Sequence, residues 1–579
     1  MLTAPYQSGL HGTRIHICLL ACCLGAALDS ALEPAYSQTE APIEYQFVVL
    51  RFEQSHILDP VRGEFRSNQD LQISNATDTV ASSVIFSSHP SLVIVNLAVT
   101  DATGAEIALG PPHKRGEAAV FRNYMFDVWE VKLGTAVAPG DTVGFHIDYE
   151  LAADAALNAP RDMYEFTVSP LACYSVYIGC NPLFGDASGA PYEMTVRYPR
   201  DYMLCVPGDL VDSQWLGDDR VDTYRSLTPY GPSFSCARYR KVIKSNEQVT
   251  LEYYLYPQEN FTDEMAEMTF EILSLYTKGF GASGVSVYRY ATVGAVNTSY
   301  SSGENKGATN FVTDFAAREF ATGSPDGRLN YFRLMSHELY HKWNLNDVSW
   351  VDSRLYEWFG EGGANFVSAW AAEQILGLEA GAEFRRVYRA NVARSECLQL
   401  EVTLEDVTKT GGAEDHLLYN YGALVWEQLR QKLGDEVFWA GLADFYAKHV
   451  GKNVQAVDLI ACLQARSTED IATYLEQWTR HNARIDLSIA NLETVTEGGR
   501  WTSRIVVMVE ADRDYELFTA IGLRETDGSL ETTPIRLTSR GKHSFLVTSA
   551  EPPVTVVLDP HCWVPQTNLE NDEWLPKSP

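Results

Sequence analysis

Apolar and polar positions alternate in short runs over the first half of this chain, and over much of the second half they recur at helical spacing. Between residues 44 and 255 the runs are strand-like, as in Tyr45–Phe52, Leu92–Val99 and Val143–Tyr149. Turn signals separate them: Thr103-Gly104, Pro139-Gly140-Asp141 and Pro207-Gly208-Asp209. Many short strands divided by such turns predict a sandwich or a large open sheet. Near Phe261 the period changes. From Thr262 to Phe280 the pattern is helical, with Met265, Met268, Phe270, Ile272, Leu273 and Tyr276 as its apolar positions. A β-rich stretch runs on to Tyr300, and helices are predicted over 330–345, 358–376, 420–434, 436–448, 455–465 and 468–479. After Arg484 alternation returns, in Ser503–Glu510 and Pro553–Asp559.

These shifts predict a multidomain α+β chain. Residues 44–255 form an N-terminal β domain, 256–484 a mixed α/β domain, and 485–565 a small C-terminal β-sandwich. Residues 566–579 are polar and are expected to be a loosely ordered tail. A length of 579 residues suits several domains. With 45 basic and 76 acidic residues the formal net charge is −31, which repels phosphate backbones and excludes a nucleic-acid partner.

The first residues read differently. Arg14 precedes an apolar run, Ile15–Leu28, that gives way to Ala31 and Ala35. A positive start, a short apolar core and a small-residue exit make 1–37 a secretory signal, cut near Ala27 or Ser37. The expected location is therefore the outside of the cell or the periplasm and envelope. Leu19–Cys22 loosely matches a lipid-attachment box, so a lipid anchor at Cys22 is the alternative. No stretch is long enough to span a bilayer.

Ten cysteines are present, three of them in the leader. Cys173, Cys180, Cys205 and Cys236 cluster, and sequence proximity favours the disulfides Cys173–Cys180 and Cys205–Cys236 in an oxidising compartment. Cys397, Cys462 and Cys562 remain, so at least one thiol is left over.

The chemistry concentrates in the α/β domain. His337-Glu338 and His341 form an HExxH segment on a predicted helix. Residues four apart share a helix face, so both imidazoles can reach one cation. Glu338 can then stand beside an activated water as its base. By itself the pattern can arise by chance on a surface helix. Glu361, twenty positions beyond His341 at the start of the next helix, supplies the missing third ligand. Two histidines and one glutamate with an open fourth position are the donor set of a catalytic zinc, one per chain.

At these residues the chain resembles the aminopeptidase N family of gluzincins. His337–Asn346 is similar to that family's HELxHxWxxN signature, with a gap to Glu361 one residue longer than usual. The His341-Lys-Trp-Asn344 variant is also similar to glycyl aminopeptidases. The resemblance implies zinc ligation by His337, His341 and Glu361 with Glu338 as general base. It also implies a saddle-like N-terminal β domain and a thermolysin-like catalytic domain. Tyr419–Gly422 resembles the family's YxKG segment and implies that Tyr419 steadies the oxyanion, with Tyr421 as a rival. Ser302–Gly307 resembles the GxMENxG strand, although Gly303 stands where the family has Met. That likeness implies that Glu304 grips a substrate α-amino group, with Gly303 and Asn305 lining the cleft; a plain Gly-rich hairpin is the alternative.

The expected function is zinc-dependent removal of N-terminal residues from peptides. The altered Glu304 segment leaves endopeptidase action on exported proteins as an alternative. So does the small β region, about 95 residues, where the family has a helical domain. A non-catalytic binding protein on the same fold is a third reading. No GxSxG elbow or reactive-cysteine signature points to serine or cysteine catalysis.

Overall fold

The computed structural model describes residues 45–574 except 122–123, 152–165, 170–171, 176–179, 185–189, 231, 260–262, 284–285, 294–301, 306–308, 314–324, 351–357, 396–402, 405–415, 482 and 498–499. The expected leader at 1–37, with Cys22, and Cys397 lie outside the described residues.

The N-terminal half is β structure, as its alternation predicts. Eight strands form one mixed sheet in the order 209–216, 219–230, 190–199, 47–59, 64–75, 142–151, 92–100 and 106–107. Strand Glu64–Asn75 shows why: its side chains alternate between solvent and interior along the strand, with Phe65, Leu71 and Ile73 inward. Phe47–Asp59 pairs antiparallel with it and parallel with Ala190–Pro199. A three-stranded sheet and a four-stranded sheet share the same core. Phe86 of the first lies 5.2 Å from Phe145, ring to ring, and Phe166 of the second 4.6 Å from Phe65.

The expected disulfides are not formed, and Cys173, Cys180, Cys205 and Cys236 are free, buried thiols. Strand register explains the difference. Ala172–Ser175 pairs antiparallel with Phe234–Ala237, and Cys173 stands directly opposite Cys236. Sequence proximity misjudged the partner because the chain leaves Cys173 and returns beside it some sixty residues later.

The central unit begins earlier than the change of pattern near Phe261. Its five-stranded sheet takes two strands, Arg240–Ser245 and Thr250–Leu255, from before that point and continues with Val287–Val293, Thr309–Thr313 and Ser302–Asn305. Ser302–Asn305 runs antiparallel along the edge. Eight helices are described: α1 Asp263–Phe280, α2 Pro325–His341, α3 Gly363–Ile375, α4 Leu378–Arg394, α5 Gly422–Leu433, α6 Asp435–His449, α7 Ala456–Gln464 and α8 Ile471–Thr479. In α1, Asp263 and Glu264 occupy the first turn and Lys278 the last, complementing the helix dipole. It stops at Gly281, whose φ of +90° only glycine adopts without strain.

Helix α4 was not expected. Its buried face includes Arg385 and Arg389 beside Ala382, Phe384, Tyr388 and Val392, so two of its inward positions read as polar. Both arginines are ion-paired. Arg385 meets Glu373 at 2.7 Å, and Arg389 meets Asp559 and Asp572 at 3.1 Å each.

The C-terminal region forms two sheets, one of 485–497, 500–511 and 541–549, the other of 530–537, 517–524, 555–558 and 573–574. Leu487, Ile505, Val507, Leu517, Ile521 and Leu523 fill the core between them, continuous with that of the helices. Fully buried Gln428 of α5 clasps Phe518 as a strand would, donating to its carbonyl at 2.8 Å and accepting from its amide at 2.9 Å. The expected loose tail is ordered through Trp574. Glu573-Trp574 pairs with Val556-Val557, and Asp572 is held by Arg389. Its polar residues are partners for buried arginine and backbone groups, which composition does not reveal. Among the described residues, no helix is long and apolar enough to cross a membrane.

Candidate metal centre

Helix α2 carries His337 and His341 one turn apart at its end. Its other faces are fixed by packing. Phe332, Met335, Leu339 and Tyr340 are buried, Ser336 bonds Ser368 of α3 at 2.7 Å, and Tyr276 of α1 donates to the Ser336 carbonyl at 2.7 Å. Trp343 is buried and donates to the Gly281 carbonyl at 3.1 Å. Lys342 and Asp347 form a buried pair at 2.5 Å.

Three segments around this helix widen into π-helical turns: Lys342–Asp347, Trp358–Gly362 and His416–Tyr421. Such turns are rare, cluster at functional sites and release backbone carbonyls from the regular ladder. The first follows His341 directly, the second carries Glu361 and the third carries Tyr419. Gly362 of the second turn packs against the Leu418 carbonyl of the third and against Gly422, the first residue of α5.

The expected ligands converge. His337 Nε2 lies 3.1 Å from Glu361 Oε2, His341 Nε2 lies 3.4 Å from the same oxygen, and the two Nε2 atoms are 3.1 Å apart. The Glu338 carboxylate is within 4.8 Å of both imidazole ligand atoms and is 7% exposed.

Two asparagines set the histidine tautomers. Asn365 donates from Nδ2 to the Tyr419 carbonyl at 3.0 Å, which turns its Oδ1 toward His337 Nδ1, 2.9 Å away. Asn344 donates to the Gly360 carbonyl at 2.7 Å and presents Oδ1 to His341 Nδ1 at 3.2 Å. An amide oxygen only accepts, so both Nδ1 atoms carry the proton and both Nε2 lone pairs face Glu361. Three electron-rich atoms 3.1–3.4 Å apart are the spacing of ligands about 2 Å from one shared ion. The residues fit a metal.

Tyr419 lies with its ring parallel to His337, centroids 6.1 Å apart at 9°. Tyr421 points elsewhere: it is buried, and its hydroxyl donates to the Trp478 carbonyl at 3.1 Å. Strand Ser302–Asn305 lies beside α2 at the sheet edge, with Glu304 in register with Asn310. The side chains of Glu304 and Asn305 lie outside the described residues. Asn344 was read only as part of the His341–Asn344 segment, with no role, and Asn365 was not singled out from sequence. The available signal was spacing, three residues after His341 and four after Glu361, positions that face a ligand on a helix.

Residues 265–478 match the Peptidase family M1 domain. The chain is 21% identical over 452 residues to "Aminopeptidase M1" of Arabidopsis thaliana, covering 73% of this chain and 50% of that protein. It is 22% identical over 338 residues to "Aminopeptidase 2" of Candida albicans, covering 54% and 35% respectively. With "Aminopeptidase N" of Lactococcus lactis it shares 28% identity over 155 residues, 25% of this chain and 18% of the relative. The matched part thus amounts to half or less of each of these relatives.

Proposed function

We propose that this chain, an aminopeptidase N-like protein whose residues 265–478 match a Peptidase family M1 domain, hydrolyses peptide bonds with one zinc ion and releases N-terminal residues. The observation that carries this reading is the convergence of His337, His341 and Glu361 within 3.4 Å, with Glu338 buried beside them. The names of the relatives support the aminopeptidase direction.

Zinc, when bound, would acidify a water and polarise the scissile carbonyl. Glu338 would take the proton from the attacking water and pass it to the leaving amine. Tyr419, stacked along His337, is the hydroxyl proposed to donate to the developing oxyanion. Tyr421 is unsuited, being spent on the Trp478 carbonyl. Glu304, on the edge strand beside α2, would hold the free α-amino group of the substrate. The apolar leader before residue 45 supports export.

The test is a panel of aminoacyl reporter substrates with metal analysis on the same sample. Glu338→Gln should keep its zinc and lose about 100-fold or more in turnover; native turnover in that variant sinks the mechanism. Peptides with acetylated amines should be poor substrates, and equal rates on blocked and free peptides would establish endopeptidase action instead.

A further inference from the structure

We propose that Asn344 and Asn365 are positioning residues, each tying one ligand histidine to the π-helical turn that carries a different functional group. This rests on the metal site proposed above. Asn344 accepts from His341 Nδ1 at 3.2 Å and donates to the Gly360 carbonyl at 2.7 Å, one residue before Glu361. Asn365 accepts from His337 Nδ1 at 2.9 Å and donates to the Tyr419 carbonyl at 3.0 Å. One carboxamide therefore joins the second histidine to the third ligand. The other joins the first histidine to the tyrosine placed at the oxyanion.

The arrangement has a physical logic. A π-helical turn leaves carbonyls without their regular helical partners, and a buried carbonyl without a donor is costly. Each asparagine supplies that donor and uses its remaining oxygen on an imidazole. The neighbouring contacts reinforce both ties. Trp350 donates to the Asn344 carbonyl at 2.7 Å and stacks on Phe359 at 4.8 Å, bridging the first two turns. Tyr388 of α4 donates to the Asn365 carbonyl at 3.2 Å. Metal occupancy and the placement of Glu361 and Tyr419 are thereby coupled: whatever holds the imidazoles also holds the turns.

Aspartate separates the two halves of each tie. It still accepts from the imidazole but cannot donate to the carbonyl. Alanine removes both. The full-length chain is stripped of metal and titrated with zinc against a chromogenic chelator, for the native protein and for N344A, N344D, N365A and N365D. The alanine variants should bind zinc about 10–100-fold more weakly. The aspartate variants should bind it no more weakly than the native chain yet turn over about 10-fold or more slowly. For Asn365→Asp the loss should fall on kcat with KM unchanged, because Tyr419 acts on the transition state. Native zinc affinity in both alanine variants, or native kcat in both aspartate variants, overturns the proposal. Circular dichroism on each variant separates loss of fold from loss of the tie, and the isosteric aspartates keep the question answerable if alanine does not fold. A native chain that binds zinc but cleaves no peptide would refute the peptidase reading, and the zinc titrations would still decide the role of the two asparagines.

Discussion

Gly362 lies so close to the turn before α5 that a methyl group added to it would stand 2.7 Å from the Leu418 carbonyl oxygen and 3.1 Å from the Gly422 Cα. The obstacle is backbone, which cannot swing aside as a side-chain tip can. Glu361 and Tyr419 each sit one residue away from this contact, on opposite sides of it. Gly362→Ala should therefore push the two turns apart while the rest of the core holds. Overpacking of this kind costs about 1–3 kcal/mol, and a misplacement near 1 Å at reacting groups can cost about 100-fold in rate. The expected outcome is a folded protein with a modestly lowered melting temperature and kcat down by about that factor. Native kcat in a folded Gly362→Ala protein would show that the turns tolerate separation.

Much of this site was legible because its signals are local. The period-two alternation of Glu64–Asn75 became a strand with alternating burial, and the i, i+4 histidines became a helix face. Glu361 was found by its spacing, although sequence could not show that a π-helical turn carries it. Helix α4 was hidden because buried Arg385 and Arg389 break its apolar stripe, and their partners lie on other segments. Asn344 and Asn365 act through contacts with carbonyls far along the chain, which no local pattern encodes. The cysteine pairing failed for the same reason, since strand register decides which thiols meet.

That register yields its own expectation. Opposed residues in an antiparallel pair have Cα atoms about 4.5–5.5 Å apart, inside the range that a disulfide spans. A disulfide formed by this pair under oxidising conditions should therefore join Cys173 to Cys236. Burial pushes the Cys173 thiol up to about 12 and raises Cys236 as well, so both should alkylate slowly until the domain unfolds. Non-reducing peptide mapping reads the result. A Cys173–Cys180 link as the main product would contradict the observed pairing of the strands.

The charged cluster between α3, α4 and α5 should be costly to break at one charge and less costly to lose by an oppositely charged pair. Arg385 sits 2.7 Å from Glu373 and 3.6 Å from Glu427, and Glu427 is fully buried. Arg430 joins the same two carboxylates at 3.6 and 3.4 Å. Taking away one partner of a buried pair leaves an uncompensated charge and costs about 3–5 kcal/mol. Arg385→Leu should be destabilised by about that amount in denaturant titrations. Adding Glu427→Leu should restore much of the loss. Additive losses in the double variant would mean that the two side chains are not energetically coupled.

The ordered C-terminal segment should make stability depend on pH through Asp572. Burial pushes its carboxyl up to about 7; Asp559 alongside adds to the effect, while Arg389 and a hydrogen bond from Gln566 oppose it. In an unfolded chain the same group titrates near about 3.9. Between those values the folded protein keeps a proton that the unfolded chain has released, so this group's contribution is full below about pH 4 and is lost as the pH rises toward 7. Asp572→Asn cannot ionise, yet it keeps an oxygen for Gln566, which donates to Asp572 Oδ1 at 3.1 Å. The variant should accordingly gain stability relative to the native chain as the pH is raised through that window, and the difference should level off above about 7. Denaturation midpoints measured for both proteins at several pH values across and above the window give the comparison. A difference that stays constant, or that moves against the variant as the pH rises, would mean that Asp572 is already ionised beside Arg389 throughout.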